Sequence, residues 1–157
     1  MKRIFLTLLL CLPLAAAAET LSLRSFYDRY AGCDGYRTLL LGRRMMQMAA
    51  RNTSDESLHR LMDGIDEIFM VTAPASDEGF ERSARSLTDG FELLSRIDEE
   101  GQSTSFFLRE PDSGDGPIEF LMLSSDGCER VVLCVRGRFD VRQIARLSAL
   151  LPSFGQP

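Results

Sequence analysis

The chain contains a single histidine, His59, which limits the chemistry that its side chains can perform. A Ser-His-Asp or Cys-His catalytic site would have to use this residue, and a zinc site built from several histidines is excluded. His59 lies in a polar stretch between Leu58 and Leu61, which predicts a position on the outer face of a short helix. We therefore predict a surface histidine that is dispensable for function, and no catalytic residues.

Three methionines, Met45, Met46 and Met48, could bind Cu(I) through their soft thioether sulfur atoms. Met45 and Met48 are one helical turn apart, however, on an apolar face that continues from Leu41. We therefore interpret both residues as part of the hydrophobic core and predict that they bind no copper.

Acidic side chains form groups that could bind calcium or act as paired carboxylates. Asp112, Asp115 and Asp126 lie in glycine-containing loops, but the alternating oxygen ligands and distant glutamate of a calcium loop are missing. Two further groups could supply the carboxylates of a glycosidase-type hydrolase. They are Asp63, Asp66, Glu67 and the run Asp98-Glu99-Glu100. Solvated turns and strand ends explain all these positions more simply, so we predict no metal site and no cofactor.

The cysteines give little sign of a disulfide framework. Cys128 and Cys134 are six residues apart on one predicted strand, a span of about 20 Å that no disulfide can bridge. Only Cys33 could then pair with one of the other two. We interpret the cysteines as free thiols and predict that no disulfide is required for folding.

The first eighteen residues have the layout of a secretory signal peptide. Lys2 and Arg3 precede an apolar run, Ile4–Leu14, and Ala16 and Ala18 occupy the small-residue positions of a cleavage site. We predict cleavage after Ala18 and a periplasmic protein.

Lipid attachment at Cys11 is the alternative to this cleavage. The segment preceding Cys11 resembles a lipobox, but Leu10 is bulky where a small residue is expected. No later apolar run reaches the roughly 20 residues that a transmembrane helix needs. We therefore favour a cleavable signal peptide over residues 1–18 and predict no transmembrane helix in the mature chain.

The remaining chain, residues 19–157, has the size of one domain and is acidic. The formal net charge of the whole chain is −5, and loss of Lys2 and Arg3 makes it more negative. An acidic surface repels phosphate groups, so we expect no nucleic-acid partner. Lys2 is the only lysine, which excludes Schiff-base and P-loop lysine chemistry from the mature domain.

Hydrophobic periodicity predicts a single α+β domain. Six strand patterns, Tyr36–Leu41, Ile65–Thr72, Phe91–Ile97, Ser103–Arg109, Ile118–Leu123 and Cys128–Val135, alternate with helical patterns. The last four strands are separated by turn signals such as Asp126-Gly127 and predict an antiparallel meander. Ser76 is the expected N-cap of one helix, and Asp140 that of a final helix reaching Leu151. The expected fold is a mostly antiparallel sheet packed by helices on at least one face.

Several motifs together resemble the opening and core of one family. Phe26-Tyr27-Asp28-Arg29-Tyr30 followed by Asp34-Gly35-Tyr36 is similar to the start of the domain of unknown function 4252 family. The similarity continues at the segments Leu41–Met46, Ile65–Val71, Gly90–Leu94 and Gly137–Val141. The resemblance covers roughly Leu21 to Leu150, and its strength lies in the order and spacing of the motifs.

This resemblance implies a small exported protein of a type found mainly in Bacteroidetes. It supplies no established activity and no catalytic residues. Some members resemble lipoproteins, and some are encoded near extracytoplasmic-function sigma and anti-sigma factors, which implies a role in envelope signalling. Our first hypothesis is a non-enzymatic envelope protein that binds a partner protein or envelope component. The alternative is a periplasmic carboxylate-dependent hydrolase, which would need a deep cleft with converging acidic side chains.

Overall fold

The computed structural model describes residues 22–143. The predicted signal peptide, residues 1–18, and the part of the predicted final helix that follows Gln143 lie outside the described residues. Among the residues described, no helix is long and apolar enough to cross a membrane.

Residues 22–143 contain four α-helices and six β-strands. The helices are α1 (Leu23–Tyr30), α2 (Arg43–Arg51), α3 (Glu56–Gly64) and α4 (Glu78–Ser86), and a short 3-10 turn covers Val141–Gln143. The strands are β1 (Arg37–Gly42), β2 (Ile65–Pro74), β3 (Glu92–Glu99), β4 (Gln102–Arg109), β5 (Ile118–Ser125) and β6 (Glu129–Gly137). All six predicted strands therefore form, with ends that differ from the prediction by at most two residues.

The six strands form one antiparallel sheet in the order β1-β2-β6-β5-β4-β3. Strands β3 to β6 are the predicted meander, since each pairs with the next along the chain. Strand β6 then pairs with β2, and β2 pairs with β1. The predicted α+β class and the antiparallel meander are thereby confirmed, and β1 and β3 are the two edges of the sheet.

Helices cover both faces of the sheet. On one side, here called the α1–α4 face, Phe26 and Phe80 are buried against β2, β5 and β6. On the opposite side, the α2–α3 face, Met46 and Leu61 are buried against the same three strands. Full burial of such large apolar side chains stabilises the fold by about 1.5–3 kcal/mol each. The sheet is therefore the middle layer of a three-layer domain.

The central strands are apolar on both faces because both faces are covered. In β2, Ile68 lies in the core of the α2–α3 face, and its neighbour Phe69 lies in the core of the α1–α4 face. In β6, Leu133 and Cys134 divide between the faces in the same way. This alternation follows from the pleat of the strand and explains the nearly continuous apolar runs in the sequence.

A carboxylate fixes the start of α4. Asp77 is the N-cap residue, and its Oδ1 accepts a hydrogen bond of 2.9 Å from the backbone amide of Phe80. The expectation that Ser76 caps this helix is wrong by one residue, because the side chain of Asp77 reaches the free amide of the first turn. Side chains also cap α1 and α3, through Ser22 and Asp55.

The same Asp77 carboxylate connects α4 with the start of β1. The hydroxyl of Tyr36 donates a hydrogen bond to Oδ2 of Asp77. This bond, followed by partial burial, raises the pKa of Tyr36 to about 12. It also lowers the pKa of Asp77, together with the backbone hydrogen bond from Phe80. The Tyr36 ring packs against Tyr30 at a centroid distance of 4.8 Å, so α1, β1 and α4 meet here.

Strands β2 and β6 meet through two glycines at one end of their pairing. Gly64 precedes β2, Gly137 ends β6, and the amide of Arg138 donates to the carbonyl of Gly64 at 2.7 Å. A Cβ atom at Gly137 would lie within 3.0 Å of backbone atoms of Gly64, Ile65 and Asp66. The two backbones approach too closely here for a side chain, which explains the need for glycine.

Candidate functional site

The edge strand β3 is exposed along its whole length. All eight of its residues are exposed, including the large apolar residues Leu93, Leu94 and Ile97, which are 51%, 43% and 49% exposed. Within residues 22–143, no strand pairs with its outer edge. An unpaired edge that carries exposed apolar side chains is typical of a site that binds another strand.

A bulge divides β3 into two parts. The register with β4 shifts between Leu93 and Ser95, and the pairing is regular from Ser95 to Glu99. In the regular part, Arg96 and Asp98 lie on the α1–α4 face, whereas Ile97 lies on the α2–α3 face. The bulge therefore sets which side chains of the outer strand meet each face of the sheet.

A groove of about 590 Å³ lies between α4 and the sheet on the α1–α4 face. We call it the α4 groove. Its floor combines the apolar side chains of Phe107, Leu123 and Val132 with serine residues of β4 and β5. These serines are Ser103, Ser105, Ser124 and Ser125. Arg96 of β3 lines the groove on the side nearest the exposed edge. The groove therefore offers hydrogen-bonding and apolar contacts beside the open strand.

Two arginines of the α4 groove differ in how far their hydrogen-bonding capacity is used. Arg130 donates to the backbone oxygen of Asp77 at 3.0 Å and forms an ion pair of 2.6 Å with Glu81. The hydrogen bond from Arg85, with the charge of Arg130, lowers the pKa of Glu81. Arg96, in contrast, donates only to the hydroxyl of Ser105, at 3.1 Å, and has no carboxylate partner among residues 22–143. Arg85, the third arginine of the groove, pairs with Glu81. Arg96 is therefore the groove arginine that has no carboxylate partner among residues 22–143 and keeps donors for a ligand.

A row of alternating charges crosses the other end of the α1–α4 face. Register places Glu67, Arg136, Glu119 and Arg109 side by side on four neighbouring strands. Arg109 donates to Glu119 at 2.6 Å, and the Arg136 guanidinium lies 3.7 Å from the other oxygen of Glu119. Arg24 of α1 completes the row with an ion pair to Glu67. Each carboxylate in the row is thus bound by arginine, an arrangement that stabilises structure.

Cys134 lies beside this charge row and is sequestered from solvent. Its side chain is 1% exposed, and burial raises the pKa of its thiol well above the ordinary range. A buried, protonated thiol is a poor nucleophile and a poor metal ligand. Cys134 therefore acts as a small apolar residue of the core.

His59 has a structural partner on each side of its ring. Its Nδ1 lies 2.9 Å from the carbonyl oxygen of Ala50, and its Nε2 lies 3.3 Å from a carboxylate oxygen of Asp63. The histidine thereby connects α3 with the end of α2 and lies on no wall of the α4 groove. Its side chain is 41% exposed, so His59 lies at the surface of α3 with both ring nitrogens near neighbouring residues.

The expectation that Met45 and Met48 are core residues is wrong. They are 54% and 59% exposed, and the buried residues of α2 are Met46 and Ala50. The expected stripe continued from Leu41, but Leu41 belongs to β1, and the helix begins only at Arg43. The rotation of α2 is set by its own inward pair, Met46 and Ala50, which are one turn apart.

The candidate acidic groups do not converge on one site. Asp63 pairs with His59, Asp66 with Arg43 and Glu67 with Arg24. Asp98 accepts a hydrogen bond from Ser103, and Glu99 and Glu100 lie at the β3–β4 hairpin. Asp126 caps its own turn, where two backbone amides lower its pKa, and Asp112 and Asp115 lie in the loop before β5. Across residues 22–143, no group of three or more histidine, cysteine, aspartate or glutamate side chains could hold a metal ion.

The described cysteines are distributed differently from the expectation. Cys128 precedes β6 instead of sharing the strand with Cys134, and its carbonyl accepts a hydrogen bond from Ala75. Cys33 lies in the loop after α1, where its thiol is 3.4 Å from the carbonyl of Arg29. Both Cys33 and Cys128 are exposed.

Sequence reasoning missed the residues that make β3 a candidate site. The sequence predicts a strand that contains Leu93, Leu94 and Ile97, but their pattern resembles that of a covered strand. Arg96 is the one arginine of β3, and no motif in the sequence marks it as a binding residue. The segment Arg96-Ile97-Asp98 could have indicated the edge, because charged residues that flank an apolar one are typical of an exposed edge strand.

Comparison with known proteins gives a family without an assigned activity. Residues 30–147 match the family of the domain of unknown function DUF4252. No curated protein and no solved structure has detectable similarity to the chain. The match covers more than half of the sequence and includes all six strands and the α4 groove. The chain therefore belongs to the DUF4252 family.

Proposed function

We propose that this domain is an exported, non-enzymatic binding protein of the cell envelope. In this proposal, a partner protein adds a β-strand to the outer edge of β3. The observation that carries the proposal is the exposure of Leu93, Leu94 and Ile97 on an edge strand whose outer side no described strand pairs with. Main-chain hydrogen bonds would provide affinity, and the side chains of the added strand would provide specificity.

The α4 groove supports recognition of a polar segment. Side chains of an added strand alternate between the faces of the sheet, so every second one would lie on the α1–α4 face near Arg96 and Asp98. Arg96 has unused donors, which suit an acidic side chain of the partner. Ile97, on the other face, suits an apolar side chain. The favoured partner segment thus alternates acidic and apolar residues.

The electrostatics of the described residues favour binding over catalysis. General acid catalysis by a carboxylate at neutral pH needs a raised pKa, whereas the pKa values of Asp77, Glu81 and Asp126 are lowered by hydrogen bonds. The buried thiol of Cys134 is protonated, and the ring of His59 is occupied by structural partners. No observation favours the hydrolase alternative.

The envelope location depends on residues 1–18. Positive residues, an apolar run and Ala16-x-Ala18 support export with cleavage after Ala18. Mass spectrometry of the protein recovered from its native host should give an N-terminus at Glu19. A diacylglyceryl group on Cys11, or an uncleaved chain in the cytoplasm, would contradict this location.

The binding site can be tested by photo-crosslinking in the native envelope. A photo-reactive phenylalanine analogue is placed at Ile97, and at Met48 as the control, since both positions carry exposed apolar side chains of similar exposure. We expect a discrete crosslinked protein from the Ile97 position and none from the Met48 position. Mass spectrometry then identifies the crosslinked protein.

Hydrogen exchange with the purified crosslinked partner tests strand addition itself. We expect amide protection confined to β3 on binding, and loss of binding in the double variant Leu93→Ser/Ile97→Ser. The matched double variant Met45→Ser/Met48→Ser should bind normally. Protection on α2 with none on β3, or turnover of a hydrolase substrate that one carboxylate substitution abolishes, would overturn the proposal.

A further inference from the structure

We propose that the strand that adds to β3 is β3 of a second copy of this chain, in an antiparallel pairing centred on Ile97. This inference rests on the proposed function, because it names the partner of the same edge. The two sheets would then form one continuous sheet about a two-fold axis that passes between the two Ile97 residues. The paired segment is the regular part of β3, from Ser95 to Glu99.

Charge complementarity selects this register. In a pairing centred on Ile97, Arg96 of one copy lies opposite Asp98 of the other, and symmetry creates this pair twice. Arg96 and Asp98 lie on the same face, beside Ser105 and Ser103, so the opposed side chains can meet. Arg96 has no carboxylate partner within the described chain, which leaves its guanidinium available for this contact.

The neighbouring registers are disfavoured by like charges. Opposed residues of an antiparallel pair lie on the same face of the sheet, so the two-fold axis must pass through a residue position and not between two residues. The nearest alternative registers are therefore centred on Arg96 or on Asp98. A centre at Arg96 would place two arginines opposite each other, and a centre at Asp98 would do the same with two aspartates. Cross-strand like charges are destabilising, so the centre at Ile97, which opposes Arg96 to Asp98 and brings no like charges together at the axis, is favoured over both neighbours.

Backbone geometry is compatible with the same centre. The two-residue loop Glu100-Gly101 closes the β3–β4 hairpin directly after the pair Glu99 and Gln102. In such a hairpin the closing pair, Glu99 and Gln102, is hydrogen-bonded. Because hydrogen-bonded and non-hydrogen-bonded pairs alternate along the strands, the amide and carbonyl of Ile97 also point toward β4. The corresponding groups of Arg96 and Asp98 point outward. A centre at Ile97 would therefore join the copies by backbone hydrogen bonds at both Arg96–Asp98 pairs, with the Ile97 side chains in close contact.

The expected dimer is weak and reversible. The paired segment is short, and small interfaces of this kind are typical of transient association. Sedimentation velocity of the purified exported chain from about 5 to 500 µM should show a shift from monomer to dimer. A chain that sediments as a monomer over the whole range would overturn the inference.

A charge swap tests the register. Arg96→Asp places aspartates opposite each other and Asp98→Arg places arginines opposite each other, so each single variant should weaken dimerisation about tenfold. The double variant Arg96→Asp/Asp98→Arg should restore it. Arg82→Asp, which makes the same charge change on the exposed side of α4, is the control and should dimerise normally.

The outcomes separate this inference from the proposed function. Single variants that dimerise like the wild type, or a swap that fails to restore dimerisation while the chain stays folded by circular dichroism, would overturn the pairing. If Ile97 crosslinks to a different protein and the chain is monomeric, the second copy is excluded but binding at β3 stands. If no protein crosslinks at Ile97 and β3 amides remain unprotected at high concentration, both proposals fail.

Discussion

The two edges of the sheet are built in opposite ways. On β1, Leu40 packs against the core of the α1–α4 face and Leu41 against the core of the α2–α3 face. On β3, no residue belongs to either core, and every residue is exposed. One edge is therefore enclosed by helices on both faces, whereas the other extends beyond the described helices.

This difference shows two ways of controlling an unpaired strand. At β1, packing and the hydrogen bond from Tyr36 to Asp77 hold the edge in the body of the domain. At β3, a bulge and the charges of Arg96 and Asp98 interrupt an apolar edge that would otherwise pair indiscriminately. The covered edge contributes to stability, and in our proposal the bare edge binds a selective partner.

The largest expected effect concerns the helix that covers β1. Met46→Ala should lower the free energy of unfolding by about 2–5 kcal/mol because it empties a buried site. Met45→Ala and Met48→Ala remove exposed side chains and should stay within about 0.5 kcal/mol of the wild type. Urea unfolding monitored by circular dichroism measures all three. Equal losses at the three positions would contradict the observed rotation of α2.

The next largest effect is expected at Gly137, where β2 and β6 approach closely. Gly137→Ala should cost about 1–3 kcal/mol, since the new methyl group must push apart the backbones at Gly64 and Gly137. Gly114→Ala is the control, because an added Cβ there meets no atom within 4 Å. If both variants unfold at the same urea concentration, the close approach of β2 and β6 is wrong.

A smaller, pH-dependent effect is expected at the covered edge. Tyr36→Phe should cost about 1 kcal/mol through loss of the hydrogen bond to Asp77. The pKa of Tyr36 rises from 10.0 to about 12 in the folded state, so its contribution is complete below pH 10 and is lost as the pH rises toward 12. The lowered pKa of Asp77 acts in the opposite direction, and its contribution is lost as the pH falls below 3.8.

Unfolding experiments at several pH values measure this dependence. The wild type should lose more stability than Tyr36→Phe between pH 10 and pH 12. An ultraviolet absorbance titration should also show one tyrosine that ionises near pH 12 in the wild type and is missing from the variant. Parallel stability curves for the two proteins would exclude the link between β1 and α4.

The smallest effect is expected at the bare edge. Ile97→Ala and Leu93→Ala should each change the free energy of unfolding by less than about 0.5 kcal/mol, because both side chains are exposed. The same substitutions should weaken binding at β3. A loss of more than about 1 kcal/mol in a dilute, monomeric sample would mean that β3 is covered by another part of the chain.

Local patterns were sufficient to predict the elements of this fold. Alternating apolar residues and the Asp126-Gly127 turn indicated the meander, because a pleated strand and a tight hairpin impose local rules on sequence. The rotation of α2 could not be predicted as well. Leu41 and the methionines form a continuous apolar pattern, and only the structure shows that a strand ends and a helix begins between them.

The candidate site could not be predicted, because it depends on contacts distant in sequence. Strand β3 is an edge because β1 and β2 join the sheet beside β6 and no described strand adds outside β3. It is bare because no described helix covers it. Neither fact can be inferred from the local sequence around Leu93, Leu94 and Ile97. The row of Glu67, Arg136, Glu119 and Arg109 shows the same limit, because its members come together only through strand register.

The sheet order has a consequence for how the chain reaches its native state. Strand β2 lies inside the sheet, yet one of its two neighbours, β6, is the last of the described strands to be synthesised. The hairpins from β3 to β6 close short loops and can form quickly, whereas joining β2 to β6 closes a long one and is slower. Until that late step, the apolar edge of β2 is open to solvent and to other chains. Folding should therefore be completed in one late step, after synthesis of Gly137, and crowding before that step favours aggregation through β2.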